Sequence, residues 1–538
     1  MTEAFPSAMR SALFVSGARL LRALLTVTLG VLSASYFGAS VQKDCYVVAQ
    51  AIPALITTLL AGGVYGNLLV SLAEIAPSGA AAQRAFAWRT LGRLSLIFGP
   101  LTLVPVLLPR PLVAAFAPGF GPGEVELGAD LLRLTAWSML TTIAFTALRC
   151  PFETRSRFGG PSIASLLMGA VPVIVLLAGA PRLGIFALAA GPILGAMLGA
   201  LLLAFLGPLT LRDPAGFTPQ PRTLAQDAMT HRRFWTAFVP LTVGSAFGQV
   251  NLIVDNAFAS FLPAGSITLL GFATVILSNA ELLTALSLAE VAFPRLAAAS
   301  RTRPTALAET FRNFARYGLI ATAPVAAGLI VFGRPLARLL FERGQFGPDA
   351  TEVVTTLLAI YSPKIIGVGW IALCSIVLMT QRRLRTILGI VITVVAANAL
   401  LDALLVGPLG VHGIALATTL VVALQSAILW RAVRVSTGPI FMIEDRGFAL
   451  RVAAAAALMA GVVFGWVALC ETVADTGSEP GRLLEVLVGL AVGAGTYTGF
   501  LLLLGVRQVG DLIRQILVAL RLSRPANAGT PGDVGMTP

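Results

Sequence analysis

Charge is what this sequence has least of. Only 12% of its 538 residues are Asp, Glu, Lys or Arg, against about 25% in an average chain, while 57% are hydrophobic. That balance excludes a water-soluble globular protein and places the chain among polytopic membrane proteins. Histidine is nearly absent, with two in the whole chain, and the four cysteines (Cys45, Cys150, Cys374 and Cys470) are scattered. They show neither the spacing of a zinc site nor that of a disulfide framework, and read as small packing residues. No glycine-rich phosphate loop and no nucleophile–base pair stands out, so nothing argues for an enzyme or an organic cofactor. Lysine is scarce too: of 38 basic residues all but Lys43 and Lys364 are arginine.

What the sequence has in abundance is long apolar runs. Cut at its Arg, Pro and Gly clusters, it yields about fourteen segments of roughly 18–26 residues, the length a bilayer demands. Their centres fall near Leu25, Leu60, Phe98, Thr141, Val173, Leu198, Gly244, Leu277, Ala323, Gly367, Val394, Val421, Val462 and Gly493. The first run lacks a small-residue cleavage site and reads as a retained span.

The net charge of +13 is a topology signal and not a nucleic-acid footprint. One set of alternate loops carries most of the arginines, among them Arg149, Arg155, Arg232, Arg233, Arg301, Arg303, Arg382, Arg383, Arg431 and Arg434. The other set carries only Lys43, Arg110, Arg133, Arg182, Arg334, Arg338, Arg343 and Arg482. By the positive-inside rule both termini face the cytoplasm, as an even number of spans requires. The longest basic connection, "LRDPAGFTPQPRTLAQDAMTHRR" (211–233), divides the first twelve spans into six and six. This gives an N-lobe over 1–210, a cytoplasmic linker over 211–233, a C-lobe over 234–435 and spans thirteen and fourteen over 436–510. The Pro/Gly-rich tail, 511–538, reads as disordered. The stretch "RPLARLLFERGQF" (334–346) alternates apolar and basic residues and predicts an interfacial helix.

Few ionisable side chains remain inside the spans: Arg19, Arg22, Asp255, Lys364 and Asp402, with Arg93, Glu281 and Glu290 nearer the ends. A charge at a helix centre costs roughly 2.5–3.5 kcal/mol to insert, so such residues face a cavity or a partner. In "AANALLDALL" (396–405), Asn398 and Asp402 stand four residues apart and share one helix face. Asp255 lies in span seven, and span twelve offers Thr418 and Thr419 in "GIALATTL". Should these spans touch, two carboxylates, an amide, a hydroxyl and nearby carbonyls form an oxygen set suited to a hard cation, Na⁺ or H⁺. The other reading is a hydrogen-bond network that holds the helices together. Lys364, in "YSPKIIGVGW", also has two readings: a buried ammonium that meets an anion or a carboxylate, or one that snorkels to the interface. Pro363, Gly367 and Gly369 around it predict a loosened helix.

Four stretches, in order, carry a resemblance: "FGASVQKDCYVVAQAIP" (37–53), "VDNAFASFLPAGSI" (254–267), "LLFERGQF" (339–346) and "GVHGIALAT" (410–418). Together they resemble the lipid II flippase family, MurJ/MviN, over about residues 10–435, with two further spans beyond. The resemblance implies an all-α fold of two six-helix lobes in a V around a central cavity, plus two C-terminal helices, working by alternating access. It implies a polyprenyl-pyrophosphate-linked saccharide as substrate, lipid II or a related precursor, and the bacterial cytoplasmic membrane as location. It also implies a sodium site at Asp255, Asn398, Asp402, Ile414 and Thr418.

The departures fall on the arginines with which that family lines its N-lobe cavity. "ARLLRALLT" (18–26) keeps Arg19 but has Leu25 and Thr26 at the next pair, with Arg22 an equal candidate for the first. The span-two arginine is Thr57, and a span-eight Tyr-Ala-Asp-Arg reads Phe272-Ala273-Thr274-Val275, while Asp44 and Pro53 are kept. The candidate substrate residues are therefore Arg19, Arg22, Asp44, Thr57 and Lys364. The expected function is an ion-coupled flippase, acting with membrane lipids as a monomer and without nucleic acid. The alternatives are a cation-coupled exporter of organic cations with the same fold and a membrane scaffold that does not transport.

Overall fold

The computed structural model describes residues 4–510 except 214, 215, 222, 382, 439–442, 474–477 and 507. The tail expected to be disordered, 511–538, lies outside the described residues. The chain is an all-α polytopic membrane protein. Among the described residues thirteen helices are long and apolar enough to cross a bilayer. The helix Leu224–Ala259, of which Val250–Ala259 counts as a shorter apolar helix, stands between the sixth and seventh of these, where the sequence places span seven, and is numbered so below. Every expected centre falls inside one of them.

Span one covers Ala4–Phe37. Span two runs Val41–Leu60, passes through a π-turn at Ala61–Tyr65 and continues over Gly66–Ile75. Span three is Ala80–Leu107. Span four is Pro122–Thr135 joined to Ser138–Thr154, and spans five and six are Gly159–Leu183 and Ile185–Thr210. Span eight, like span two, carries a π-turn: Ser266–Glu281, Leu282–Leu286, Ser287–Ala299. Spans nine to fourteen are Pro304–Phe341, Pro348–Thr380, Leu384–Leu409, Val411–Thr437, Ile443–Val473 and Glu479–Leu503.

Helices in lipid gain little from hydrophobic burial against one another and associate through close packing. Spans five and six show how. Gly191, Gly195 and Gly199 form a stripe at i, i+4 and i+8 on span six. A Cβ at Gly191 would sit 2.7 Å from Pro172 Cα, and one at Gly195 would sit 3.2 Å from the Leu167 carbonyl oxygen. Only hydrogen at these positions lets the two backbones approach so closely.

Two sequence expectations change. Residues 334–341 form no separate interfacial helix; they continue span nine to Phe341, because Ala337 and Phe341 are buried, at 0% and 2% exposure, instead of facing lipid. Pro363, Gly367 and Gly369 do not interrupt span ten, which is one helix. Gly369 is there for contact: a Cβ would lie 3.2 Å from Ala285 Cβ in the span-eight π-turn.

Contacts group the chain into two units. The first is Met1–Asn279, Leu336–Tyr361 and Leu384–Ile428; the second is Ala280–Pro335, Ser362–Arg383 and Leu429–Pro538. Within the first, the ends of spans eight and nine meet in an aromatic group. Phe272 lies 4.7 Å from Phe341 and 5.2 Å from Phe346, ring centre to ring centre. Within the second, Phe311, Trp370 and Trp430 pack together, and Arg316 is salt-bridged to Asp445 at 2.5 Å, tying span thirteen to span nine.

Candidate functional site

The first unit brings spans seven, eleven and twelve together around the polar turn of span eleven. Helical spacing puts Asn398 and Asp402 on one face, and both are fully buried at 0% exposure. The Asn398 amide Nδ2 donates to Asp255 Oδ1 at 2.7 Å and to Asp402 Oδ2 at 2.9 Å. The Thr418 hydroxyl lies 3.2 Å from Asp255 Oδ2 and 3.0 Å from the Ile414 carbonyl oxygen. Its single proton serves one of them at a time. All five residues expected to form a cation site are thus in one place.

The balance of donors and acceptors is lopsided. Two carboxylates share one amide, and both Asp402 Oδ1 and Asn398 Oδ1 are buried with no hydrogen-bond partner. A buried acceptor left open is rare and needs an explanation. Two carboxylates bridged by one amide repel each other when both are charged. A hard cation or a shared proton meets both needs, and an all-oxygen set suits Na⁺ and not a softer metal. Tyr361 of span ten is an addition that the sequence does not point to: its phenol is within electrostatic reach of Asp255, Asp402 and Thr418.

The residues expected to meet substrate are not gathered in this way. Asp44 is buried, with both oxygens held by the start of span eight. They accept from the Gly265 N–H at 2.6 Å, the Thr268 N–H at 2.7 Å and the Thr268 hydroxyl at 2.6 Å. Asp44 thus caps that helix from a distance, meeting donors its own chain leaves unpaired. Thr57 turns its hydroxyl back to the Ala54 carbonyl at 3.1 Å. Arg22 donates to Ser165 Oγ of span five at 2.9 Å, and the Arg19 side chain lies outside the described residues. In the second unit, Lys364 stands in mid-helix, 3.5 Å from Glu281 Oε1, which favours the carboxylate pairing over snorkelling.

By sequence Arg149 belongs with the arginines of a basic loop. Arg149 lies inside span four. Its guanidinium stacks 4.2 Å from the centre of the Tyr65 ring, and its Nε is 3.5 Å from Glu153 Oε1. Tyr65 in turn donates to Glu153 Oε2 at 2.8 Å. The i, i+4 Arg/Glu spacing was a visible signal; the Tyr65 contact was not.

A family model described as "Lipid II flippase MurJ" matches residues 33–484. The chain belongs to the MurJ lipid II flippase family. Among curated MurJ relatives, the Vibrio cholerae probable lipid II flippase is 27% identical over 516 residues, covering 93% of this chain and 96% of that protein. The Burkholderia cenocepacia lipid II flippase is 26% identical over 440 residues, covering 79% and 83%. The fold matches a solved MurJ structure in an inward closed conformation, with a TM-score of 0.72, 20% identity and coverage of 91% of this chain and 99% of that one. A multidrug-resistance MATE transporter of the MOP superfamily, inward-facing, matches with a TM-score of 0.62 and 12% identity over 78% and 95%. MurJ membership and fold agree with the expectation from the four sequence stretches.

Proposed function

We propose that the chain is a cation-coupled flippase that moves a polyprenyl-pyrophosphate-linked saccharide, lipid II or a related precursor, from the inner to the outer leaflet of the bacterial cytoplasmic membrane. The observation that carries the coupling is the pair of buried acceptors left open, Asp402 Oδ1 and Asn398 Oδ1, between two carboxylates from different spans. Na⁺ held by Asp255, Asn398, Asp402, Thr418 and the Ile414 carbonyl would neutralise those oxygens and draw spans seven, eleven and twelve together. Its release would leave the two acids to repel. The two conditions favour different packings of these helices, which is how an ion biases a two-state transporter. The lobes 1–210 and 234–435 are the bodies that move, with both termini in the cytoplasm. The work is binding and release, with no bond made or broken.

The test is flipping of a fluorescent prenyl-pyrophosphate saccharide in proteoliposomes, with and without a sodium gradient. Flipping that a gradient speeds, and that Asp402→Asn abolishes, supports the reading. An exporter of organic cations is the second reading, favoured by the MATE-like fold. Transport of a cationic dye without flipping would establish it instead.

A further inference from the structure

Spans three, four and six leave a groove near their arginine-rich ends that neither the cation site nor the flippase reading uses. Small residues on two of the spans, Ala87 and then Ala204 and Gly207, make the hollow. Leu148, Phe152 and Leu203, all buried, line it further. It encloses about 270 Å³, under the roughly 300–1,000 Å³ of a compact small-molecule pocket. A slim chain laid along the helices suits it better. Phe205 and Leu209, next in sequence to the lining residues Ala204 and Pro208, are 70% and 50% exposed, so this side of span six faces lipid.

The mouth of the groove is cationic. Arg84 and Trp88 stand four residues apart on one face of span three, near its start at Ala80. The Arg84 guanidinium donates to the carbonyl of Leu211, just past the end of span six. One carbonyl takes a small part of what a five-donor fork offers. The carboxylate next along the linker, Asp213, is engaged elsewhere: it accepts from the Ala80 N–H at 2.9 Å and pairs with Arg155 at 2.8 Å. Arg212, between Leu211 and Asp213, is exposed. Trp88, one turn deeper than Arg84, is 51% exposed, an amphipathic ring of the kind that sits at headgroup level. A cation at the mouth, an indole beside it and an apolar hollow beyond match an amphiphile with an anionic head.

We propose that this groove binds an anionic glycerophospholipid of the cytoplasmic leaflet, with its phosphodiester on Arg84 and one acyl chain against Ala87, Ala204 and Gly207. The lipid is a resident ligand on the lipid-facing side of these spans and not the cargo, so the proposal goes beyond the flippase reading. A guanidinium fork meets phosphate oxygens with paired, charge-assisted hydrogen bonds. Basic pockets between spans on the cytoplasmic side are a recurring seat for acidic headgroups. A zwitterionic headgroup brings an ammonium to a mouth whose carboxylate, Asp213, is already paired, so charge sets the preference. Because Arg84 joins span three to the end of span six, the bound lipid also braces the start of the linker.

The experiment places the purified full-length protein in phosphatidylcholine nanodiscs doped with phosphatidylglycerol or phosphatidylethanolamine, each with a photoreactive group on one acyl chain, and maps the cross-linked peptides. Wild type is compared with Arg84→Ala, Arg84→Lys and Ala204→Phe, and the melting temperature of each checks its fold. Phosphatidylglycerol should label residues 84–88 and 201–208, and phosphatidylethanolamine several-fold less. Loss of charge-assisted hydrogen bonds predicts about tenfold weaker labelling in Arg84→Ala, with partial recovery in Arg84→Lys. Ala204→Phe fills the hollow with the charge intact, so labelling of 201–208 should be lost; this variant carries the test if Arg84→Ala folds poorly. Equal labelling by the two lipids, or wild-type labelling in a folded Arg84→Ala or Ala204→Phe, would overturn the assignment and leave an ordinary boundary lipid. Displacement of phosphatidylglycerol by an equal amount of undecaprenyl phosphate would overturn it in favour of a prenyl carrier. Flipping is no part of the readout, so the lipid site and the flippase reading stand or fall separately.

Discussion

The acidic cluster on spans seven, eleven and twelve and the arginines of spans one and four pose opposite electrostatic problems. The first has two acids sharing one amide and two acceptors left open. The second has two guanidinium groups served by one carboxylate at 3.5 Å and one serine. A small spherical cation accepts few arrangements, so its ligands sit at fixed spacings on rigid helices. A pyrophosphate presents several equivalent oxygens and is met wherever a planar fork reaches it. The first cluster is short of donors and the second is short of acceptors.

The sharpest way to break this comparison is to remove one acid. Asp402→Asn keeps the shape of the side chain but removes the charge that attracts the cation. Sodium-dependent thermal stabilisation should vanish and flipping should fall at least 100-fold, as expected when a charge-bearing ligand of a buried ion is lost. Asp255→Asn should do the same. A variant that still flips at wild-type rate would reduce the cluster to a packing network. The double variant Asp402→Asn/Arg149→Ala then sharpens the comparison. Span seven packs against the span-two π-turn that carries Tyr65, so losses in sodium response and in pyrophosphate affinity that add independently would show that the two clusters act separately.

A second comparison lies within the helix contacts. Asp44 and Gly265 join spans two and eight by polar and by steric means. Gly265 has φ +92°, and a Cβ there would lie 2.6 Å from the Ala39 carbonyl oxygen. Gly265→Ala should lower stability by about 1–3 kcal/mol through backbone strain, and Asp44→Ala by a similar amount through three abandoned donors. Both are read as melting temperature in detergent. If Asp44→Ala instead weakens pyrophosphate binding at unchanged stability, Asp44 belongs with the substrate residues.

The sequence makes the fourteen spans legible because hydropathy and the placement of arginine report the solvent directly. The polar turn of span eleven is legible because Asn398 and Asp402 sit four apart in an otherwise apolar stretch, while their meeting with Asp255 and Thr418 comes only with the fold. Arg149 was not legible for the same reason the spans were. Five residues from the end of its helix, it looks like one more positive-inside arginine, and only the fold shows its guanidinium over the Tyr65 ring. The continuous span nine was hidden because the alternation in 334–346 is produced by burial of Ala337 and Phe341 on one side, which a sequence cannot tell from lipid contact. Asp44, too, looks like any polar residue at a loop until its partners, Gly265 and Thr268, arrive from over two hundred positions away.

The smallest effect concerns a group that belongs to neither cluster. His231, in the linker before the apolar part of span seven, stacks on Phe86 with ring centres 4.4 Å apart, and neither ring nitrogen has a hydrogen-bond partner. Burial first, then the positive charges of Arg93 and Arg89, hold its pKa down to about 4, with Asp227 opposing. The folded imidazole is therefore neutral where an unfolded one, with a pKa near 6.5, already takes up a proton. Unfolding binds more protons in that window, so this contribution is complete above about pH 6.5 and is lost as the pH falls toward 4. At pH 5 the loss is about 1–2 kcal/mol by the same linkage. Melting in detergent at pH 7 and pH 5 should show the drop in the wild type and a smaller one in His231→Gln. A drop of equal size in both would assign the acid sensitivity to the carboxylates instead.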